Sequence, residues 1–489
     1  MEKLYDVAII GAGITGTGIA HELAKYDLKT VLLEHGSDIG TGATKGNGGV
    51  VHPGYDPHPG TLKALLNPRG ARMYPQLAKD LGFGIRQTGT LVVAYSQADL
   101  KKVDELVDNG RRNGVSGVER IDAAQLHNRE PEISPSALGA LLAHTTTMVD
   151  SFEVAIAFAE NAVDNGCDLR LNAEVTSITK DEDGNFTITA NSDPGSFFRC
   201  RYIVDAAGIH ADDVASLAGI GEYRVQGRHG NLIVLDKKTD TPIHTVMFPC
   251  PGPDTKGIAV IPTVSGNYLI GSTATMRGDK EDVSNDAEGV EELLQGAVHL
   301  LPHFDRRTVI RTFAGQRPVA LDNDNDFYIK ASETEPHFIH AAGIQSPGVA
   351  SSPAIAEYVR DLLADAGLDL KDRPGYRRYR KPIDDFSSLT VGEQDALIAS
   401  DPAFGRIVCR CETVTEGEIR EAIRQTVGAR TVEGIKRRTR AGMGRCQGGF
   451  CQFRVMKILA DELGVPEEDI MFEQAASPVL YGKMKGGRS

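Results

Sequence analysis

Four of the seven cysteines in this 489-residue chain fall in two close pairs near its C-terminal end, Cys409-Arg-Cys411 and Cys446-Gln-Gly-Gly-Phe-Cys451. Four thiolates converging from two loops suit a [2Fe-2S] cluster, and a closed metal site supplies folding energy that a short segment lacks. Zinc stays open as a rival, because four thiolates suit it too. Structural zinc sites usually leave roughly two to four residues between paired ligands, whereas Arg410 alone separates Cys409 from Cys411. Unconnected reduced thiols are a third reading, disfavoured because two pairs in one short polar segment are hard to obtain from core packing. Cys167, Cys200 and Cys250 stand alone and read as small core residues.

At the opposite end, Asp6 to Ile10 form an apolar run that meets Gly11-Ala-Gly13-Ile14-Thr15-Gly16, after which Ile19, Ala20, Leu23 and Ala24 recur at helical spacing. Strand, glycine turn and helix in that order make a dinucleotide-binding fingerprint. Gly11 allows the sharp turn, Gly13 lets the backbone approach a pyrophosphate, and Gly16 permits close helix packing. The helix N-terminus then offers free N–H groups and the positive end of its dipole to the phosphates. A second strand, Lys29 to Glu34, ends in an acid placed to accept hydrogen bonds from an adenosine ribose, which argues against NADP. The glycine triplet does not separate FAD from NAD. The stretch Gly42-Ala-Thr44-Lys-Gly-Asn47-Gly48-Gly49-Val-Val-His52 favours FAD, since it can lie along an extended cofactor and deliver amides to a flavin ring. A bare surface loop is its alternative.

These elements need a scaffold larger than one ordinary domain, and the length implies two or three units. Hydrophobic residues make up 41% of the chain, and Lys plus Arg number 53 against 67 for Asp plus Glu, a net charge of −14 that disfavours nucleic-acid binding. The Met1-Glu-Lys-Leu start shows no export signal and no stretch reaches membrane-span length, so a reducing, cytoplasmic setting is expected. Asp150 to Gly166 reads as a helix. Asp168 to Leu171, Glu174 to Lys180 and Phe186 to Ala190 read as strands of a small antiparallel excursion, and Arg201 to Ala206 rejoins the nucleotide domain at Gly208. Phe338 to Gly348 is a third return, followed by a helix over 350–362 with Ser351 and Ser352 near its start. Gly230 to Asp236, Gly257 to Thr263 and Asn267 to Gly271 read as strands of a mostly antiparallel substrate sheet, and Lys371 to Asp385 as an ordered surface linker.

Gly11-Ala-Gly13-Ile-Thr-Gly16, Glu34, Val204-Asp-Ala-Ala-Gly208-Ile-His-Ala-Asp212 and Ala341-Ala-Gly343-Ile344 together resemble the FAD-dependent oxidoreductases of the D-amino-acid-oxidase superfamily, over residues 3 to about 370. Asn47 to Lys63 is similar to a segment shared by L-2-hydroxyglutarate oxidases and anaerobic glycerol-3-phosphate dehydrogenases. The tail resembles the bacterioferritin-associated-ferredoxin-like [2Fe-2S] domain, through Cys409-Arg-Cys411-Glu-Thr-Val-Thr and Arg437 to Cys451. The resemblance implies an α/β fold: a Rossmann-like FAD-binding domain (1–80, 145–225 and 325–370), an inserted, mostly antiparallel substrate domain (81–144 and 226–324), a linker (371–399), a small helical [2Fe-2S] domain (400–475) and a tail (476–489). It implies FAD near Gly11, Gly13, Ile14, Thr15, Gly16, Glu34, Thr44, Asn47, Gly48, Gly49, Val175, Gly208, Gly343, Ile344, Gln345, Ser346 and Gly348, and a cluster on Cys409, Cys411, Cys446 and Cys451. Asp205 stands where many relatives have Asn, with little expected consequence.

Oxidising an alcohol carbon with a flavin needs a base for the hydroxyl proton and a hydride path to N5, and a group titrating near neutrality serves best. His229 resembles the position of a proposed active-site histidine in glycerol-3-phosphate dehydrogenases, and His52 is the other candidate because the glycine-rich loop should bring it to the flavin. For each, a histidine merely bonded at a domain seam is the alternative. Arg317 resembles the family's anion-binding arginine, and a guanidinium clamps carboxylate and phosphate alike. Tyr55 and Lys63 are further candidate contacts, with a solvated Lys63 as the alternative.

The expected activity is oxidation of a small anionic secondary alcohol, sn-glycerol 3-phosphate first, with electrons leaving through the cluster. L-2-hydroxyglutarate, an amino acid or amine, or a pure electron-relay role are the other readings. The expected partner is an electron-accepting protein or second flavoprotein subunit, with no nucleic acid, and a membrane inner face reached only through that partner. Lys436-Arg437-Arg438-Thr439-Arg440 is a basic patch that could dock an acidic partner, raise the cluster potential or be a solvated helix end.

Overall fold

The computed structural model describes residues 3–191, 196–239, 242–252, 256–321, 323–474 and 476–482. The expected tail therefore lies partly outside the described residues. The apolar opening run forms the strand Leu4–Ile10, which pairs in parallel with Thr30–Leu33 on one side and Phe197–Asp205 on the other. Parallel strands need cover on both faces, and the wholly buried Val7, Ala8, Ile9 and Leu32 reflect it. The full eight-stranded sheet adds Asp168–Arg170 beside Thr30–Leu33, and Phe338–Ala342, with Tyr328–Ala331, beside Phe197–Asp205. The excursion is antiparallel as expected through Val175–Lys180, Phe186–Ala190 and Phe197–Asp205, but Asp168–Arg170 is not part of it and pairs in parallel with Thr30–Leu33. The helices Ile14–Leu23, Ser151–Asp164 and Gly348–Asp365 pack together on this sheet, and Leu62–Leu81 leans on the last of them.

Asp205 lies at the end of its strand with no exposure, accepting from the Ala207 N–H at 3.1 Å and the Tyr223 hydroxyl at 3.2 Å. Burial pushes its carboxyl up to about 8, so at neutral pH it is mostly the uncharged acid, close in character to the amide it replaces.

A nine-stranded sheet holds the second core. Its longest pairing joins Val225–Leu235 to Val309–Ala320, antiparallel from Val225 opposite Ala320 to Leu235 opposite Val309. Thr90–Ala94 enters this sheet beside Val246–Pro249 as a parallel neighbour, and the other pairs are antiparallel. The third core belongs to the C-terminal helices Glu416–Arg424, Val432–Thr439 and Gln452–Leu463 with a two-stranded ribbon. Thr415 and Glu418 cap the first of these helices reciprocally.

The segment expected as a linker is tied down along its length. Arg373 donates to the carbonyls of Ala24 and Leu28, and Arg380 pairs with the buried Glu160. It also contains a helix, Val391–Ser400, started by a Thr390–Glu393 capping box.

The basic patch is neither a free docking surface nor a solvated helix end. Arg437 pairs with Asp38 and Glu473, Arg438 with Asp38, Lys436 with Glu433, and Arg440 with Glu412 and Asp150. Arg437 and Arg438 are turned inward, where their pairs with Asp38 fasten the tail domain to the loop after Glu34. Asp236 and Lys237 at the end of the long strand add pairs to Arg445 and Glu412. Among the described residues no helix is long and apolar enough to cross a membrane.

Candidate active site

The opening fingerprint builds a cradle whose closeness explains its glycines. Gly11 has φ +100°, and a Cβ on it would lie 2.5 Å from the Ala206 carbonyl oxygen; a Cβ on Gly16 would collide with the Gly11 carbonyl. Gly13 starts helix Ile14–Leu23 without a side-chain cap, and the half-buried Thr15 lies in its first turn. Thr44 Oγ1 accepts from the Ile14 N–H at 2.9 Å, pinning the following loop to that turn. Asn47 continues the pinning, donating to Ser151 Oγ at 2.8 Å and accepting from Gly49 N at 2.7 Å. Gly48 lies against Ile261, so the loop runs between the two large sheets.

Glu34 is 5% exposed, and its carboxylate accepts from Ala12 N and Gly36 N, each at 2.7 Å, which fixes it and leaves acceptor capacity for a sugar hydroxyl. Val175 starts its strand just past Ala173, whose N–H donates to the Glu34 carbonyl at 2.7 Å. Gly208 opens a short turn beyond Ala206. Gly343, Ile344, Gln345 and the exposed Ser346 form the third return, and Gly348 starts helix Gly348–Asp365, again without a side-chain cap. The Ser351 hydroxyl in its first turn is buried without a partner. Two uncapped helix starts, a fixed acid and an orphaned hydroxyl fit FAD.

The face of the second sheet that carries Arg228 and Arg317 follows from strand alternation. Residues 226 and 228 of Val225–Leu235 are partly open while 227 and 229 are buried, so Arg228 and His229 lie on opposite faces. Arg317 stands directly opposite Arg228 in the register, and its guanidinium crosses over Gly230, where a Cβ would come within 2.9 Å of it. Four hydrogen bonds hold it, to the carbonyls of Arg228, His229 and Thr273 and to Ser272 Oγ. Its donors are largely spent on the protein, so its charge is what it offers a ligand. Burial and Arg228 lower it to about 10.

Arg228 donates to Gln345 Oε1 at 3.2 Å, which joins the substrate sheet to the third return. Gln345 in turn donates to Asn325 Oδ1, and Lys63 donates to the Asn325 carbonyl. Lys63 is 8% exposed and not solvated; burial, with Lys256 and Arg228 nearby, lowers it to about 8. Lys256 pairs with Asp56 at 2.5 Å. His52 completes this group: it is buried, neither ring nitrogen has a partner, and burial with Lys256 lowers it to about 3.

Two of the candidate residues stand apart from this group. His229 is not on this face, because its Nε2 lies 3.0 Å from the Ser284 carbonyl and its neighbours are Arg277, Asp282 and Asp286 on the covered side. Tyr55 is a core residue, buried in the cluster that also holds Val92, Leu100, Val107 and Leu141, with its ring 5.7 Å from the His52 ring. Sequence reasoning passed over Arg228 and Lys256. The first was legible from alternation with Gly230; the second sits in an irregular loop with no pattern to single it out.

The four tail thiols stand as two pairs. Cys411 and Cys446 sulfurs are 3.7 Å apart, and a hydrogen bond from the Cys451 thiol holds the Cys409 thiol below its usual range. A tetrahedral metal with thiolate bonds of about 2.3 Å separates its sulfurs by about 3.8 Å, so the first pair fits one metal atom. Among the described residues no three such side chains gather on one metal position. Two pairs suit a two-iron cluster better than a single zinc. Cys411 is exposed and Cys409 and Cys451 are buried.

Residues 6–362 match the FAD dependent oxidoreductase family model, and residues 407–461 match the BFD-like [2Fe-2S] binding domain. A glycerol 3-phosphate dehydrogenase of Caloramator mitchellensis is 39% identical over 482 residues, spanning 99% of each chain. One subunit of the anaerobic glycerol-3-phosphate dehydrogenase of Escherichia coli strain K12 is 26% identical over 492 residues, spanning 93% of this chain and 88% of that one. Among solved structures, the dithionite-reduced L-alpha-glycerophosphate oxidase of Mycoplasma pneumoniae with FAD bound aligns at a TM-score of 0.74 and 28% identity, covering 78% of this chain and 99% of that one.

Proposed function

Because this chain belongs to the FAD-dependent oxidoreductases and ends in a BFD-like [2Fe-2S] domain, we propose that it is a dehydrogenase of sn-glycerol 3-phosphate that passes its electrons to a partner protein. The carrying observation is the set of cations Arg228, Arg317, Lys63 and Lys256, balanced nearby only in part by Asp56 and Asp326. The excess positive charge calls for an anion, and a phosphate monoester neutralises it in one group. An ammonium-bearing substrate would be repelled by the same set. The activity named for the relative matched over almost its full length supports the same choice.

Bound FAD supplies the hydride acceptor, and the cluster a route for single electrons. The residues do the rest. Lys63 and Arg228 keep donors for the phosphate oxygens, while Arg317, fixed by its four hydrogen bonds, adds charge without rearranging. His52 is neutral at physiological pH, so one ring nitrogen carries a proton and the other, without a partner, can accept the hydroxyl proton; burial and Lys256 lower its basicity in the free site, and a bound phosphate that offsets Lys256 would raise it. Gly11, Gly13, Gly16, Glu34 and the turn at Gly343 to Gly348 hold the cofactor, and Cys409, Cys411, Cys446 and Cys451 hold the cluster. The partner receives the electrons in the cytoplasm, and a relative named as one subunit of an enzyme supports such a complex.

Anaerobic titration of the holoenzyme tests this. Glycerol 3-phosphate should bleach the flavin stoichiometrically, and L-2-hydroxyglutarate should leave it oxidised. Bleaching by the hydroxy acid alone would overturn the assignment.

A further inference from the structure

We propose that the outer face of the tail domain around Cys411 is the docking surface for an acidic one-electron carrier protein. This rests on the electron-exit reading above and adds where, and to what chemistry, the electrons leave. Cys411 is the exposed member of the four thiols, so the cluster site lies nearest the surface there. The two loops that carry the thiols also carry the exposed Arg410 and Arg445, and Phe450 at 87% exposure. The helix that begins beside Cys451 continues the face with Phe453, 63% exposed, and with the exposed Arg454 and Lys457, which lie within one turn of it.

The charges on this face are free in a way that those of the inner face are not. Arg437, Arg438 and Arg440 are spent on Asp38, Glu473 and Glu412. Among the described residues no ion pair holds Arg410, Arg454 or Lys457, and Arg445, bonded to Asp236, keeps 55% of its side chain exposed. Glu412, beside Cys411, has a buried and paired side chain, so Asp461, a turn past Lys457, is the main opposing carboxylate on the helix. A cationic face on a chain of net charge −14 is a directional device: the rest of the surface repels an acidic carrier and this face attracts it. Exposed aromatics among arginines give such a contact its apolar centre.

The test compares native cytochrome c, which is cationic, with fully succinylated cytochrome c, which is anionic, as acceptors from photoreduced holoenzyme. Photoreduction keeps the test independent of the substrate assignment, which flavin bleaching reports separately. The anionic cytochrome should be reduced about tenfold faster at low salt, and the preference should vanish at high salt. Arg410→Glu with Arg454→Glu and Lys457→Glu should reverse the preference while iron content and flavin bleaching stay unchanged. Phe450→Ala with Phe453→Ala should slow the anionic cytochrome without altering its salt dependence. Equal rates with both cytochromes, or a preference untouched by the charge reversals, would overturn the proposal. So would variant-sensitive binding to phosphatidylglycerol vesicles with no cytochrome preference, which would make the face a membrane contact.

Discussion

Arg438 and Asp38, separated by 400 residues in the chain, meet in a two-pronged pair with Nη1 to Oδ2 and Nη2 to Oδ1 both at 2.8 Å. Their side chains are 2% and 4% exposed, and Arg437 adds a third bond to the same carboxylate, also at 2.8 Å. One acid just beyond Glu34 thus secures the tail domain against the loop that follows the opening strand and helix, and the cysteine-bearing domain is tied to the glycine cradle.

Asp38→Asn should leave two buried guanidiniums short of their counter-charge and cost about 3–5 kcal/mol of docking stability. Burial pushes Asp38 up, but Arg438 and Arg437 outweigh it and hold the carboxyl well below the usual range. A depressed pKa contributes stability that is complete above the unfolded carboxylate value and is lost as pH falls through the folded one. Denaturation followed at the iron–sulfur absorbance should show the loss at pH 7, with wild type and variant converging in acid. An unchanged midpoint at pH 7 would refute the clamp.

His52→Asn should lower kcat by about 10²–10⁴-fold with a smaller change in KM, as expected for a lost proton acceptor. His229→Asn should change kcat far less, since that ring faces Ser284. Steady-state kinetics of the two variants side by side decide between the histidines, and a reversed order would restore His229.

Lys63, lowered to about 8, is cationic below that pH and neutral above it. In the free enzyme kcat/KM for glycerol 3-phosphate should therefore fall as pH rises through 8. Bound phosphate favours the charged form, so kcat should fall only at higher pH. Lys63→Arg should remove the alkaline limb, and its persistence would show that another group titrates there.

Arg228→Met should raise KM by about tenfold or more, the size of a lost charge-assisted hydrogen bond, with kcat less affected. A variant whose KM is unchanged would take Arg228 out of the anion site.

Cys446→Ser should leave flavin bleaching by substrate intact while transfer to a protein acceptor drops to background. Full-speed transfer in a variant that has lost its iron–sulfur absorbance would end the relay reading.

By itself the sequence determined the local devices. Gly11 and Gly16 are legible because a side chain there would collide with backbone, Gly13 because it completes their spacing, Glu34 because it closes a strand at a fixed distance, and the cysteine pairs because thiolates must cluster to hold iron. What only the tertiary structure decided is which side chains share a face and which charges are free. Arg228 and His229 are neighbours in the chain, and the pleat of one strand sends the first to Gln345 and the second to Ser284. The basic run 436–440 looks like a docking patch until Asp38 arrives from the other end of the chain to occupy it. A charge is available to a ligand or partner only when no opposite charge is folded against it, and that depends on contacts between residues hundreds of positions apart, which spacing along the chain does not encode.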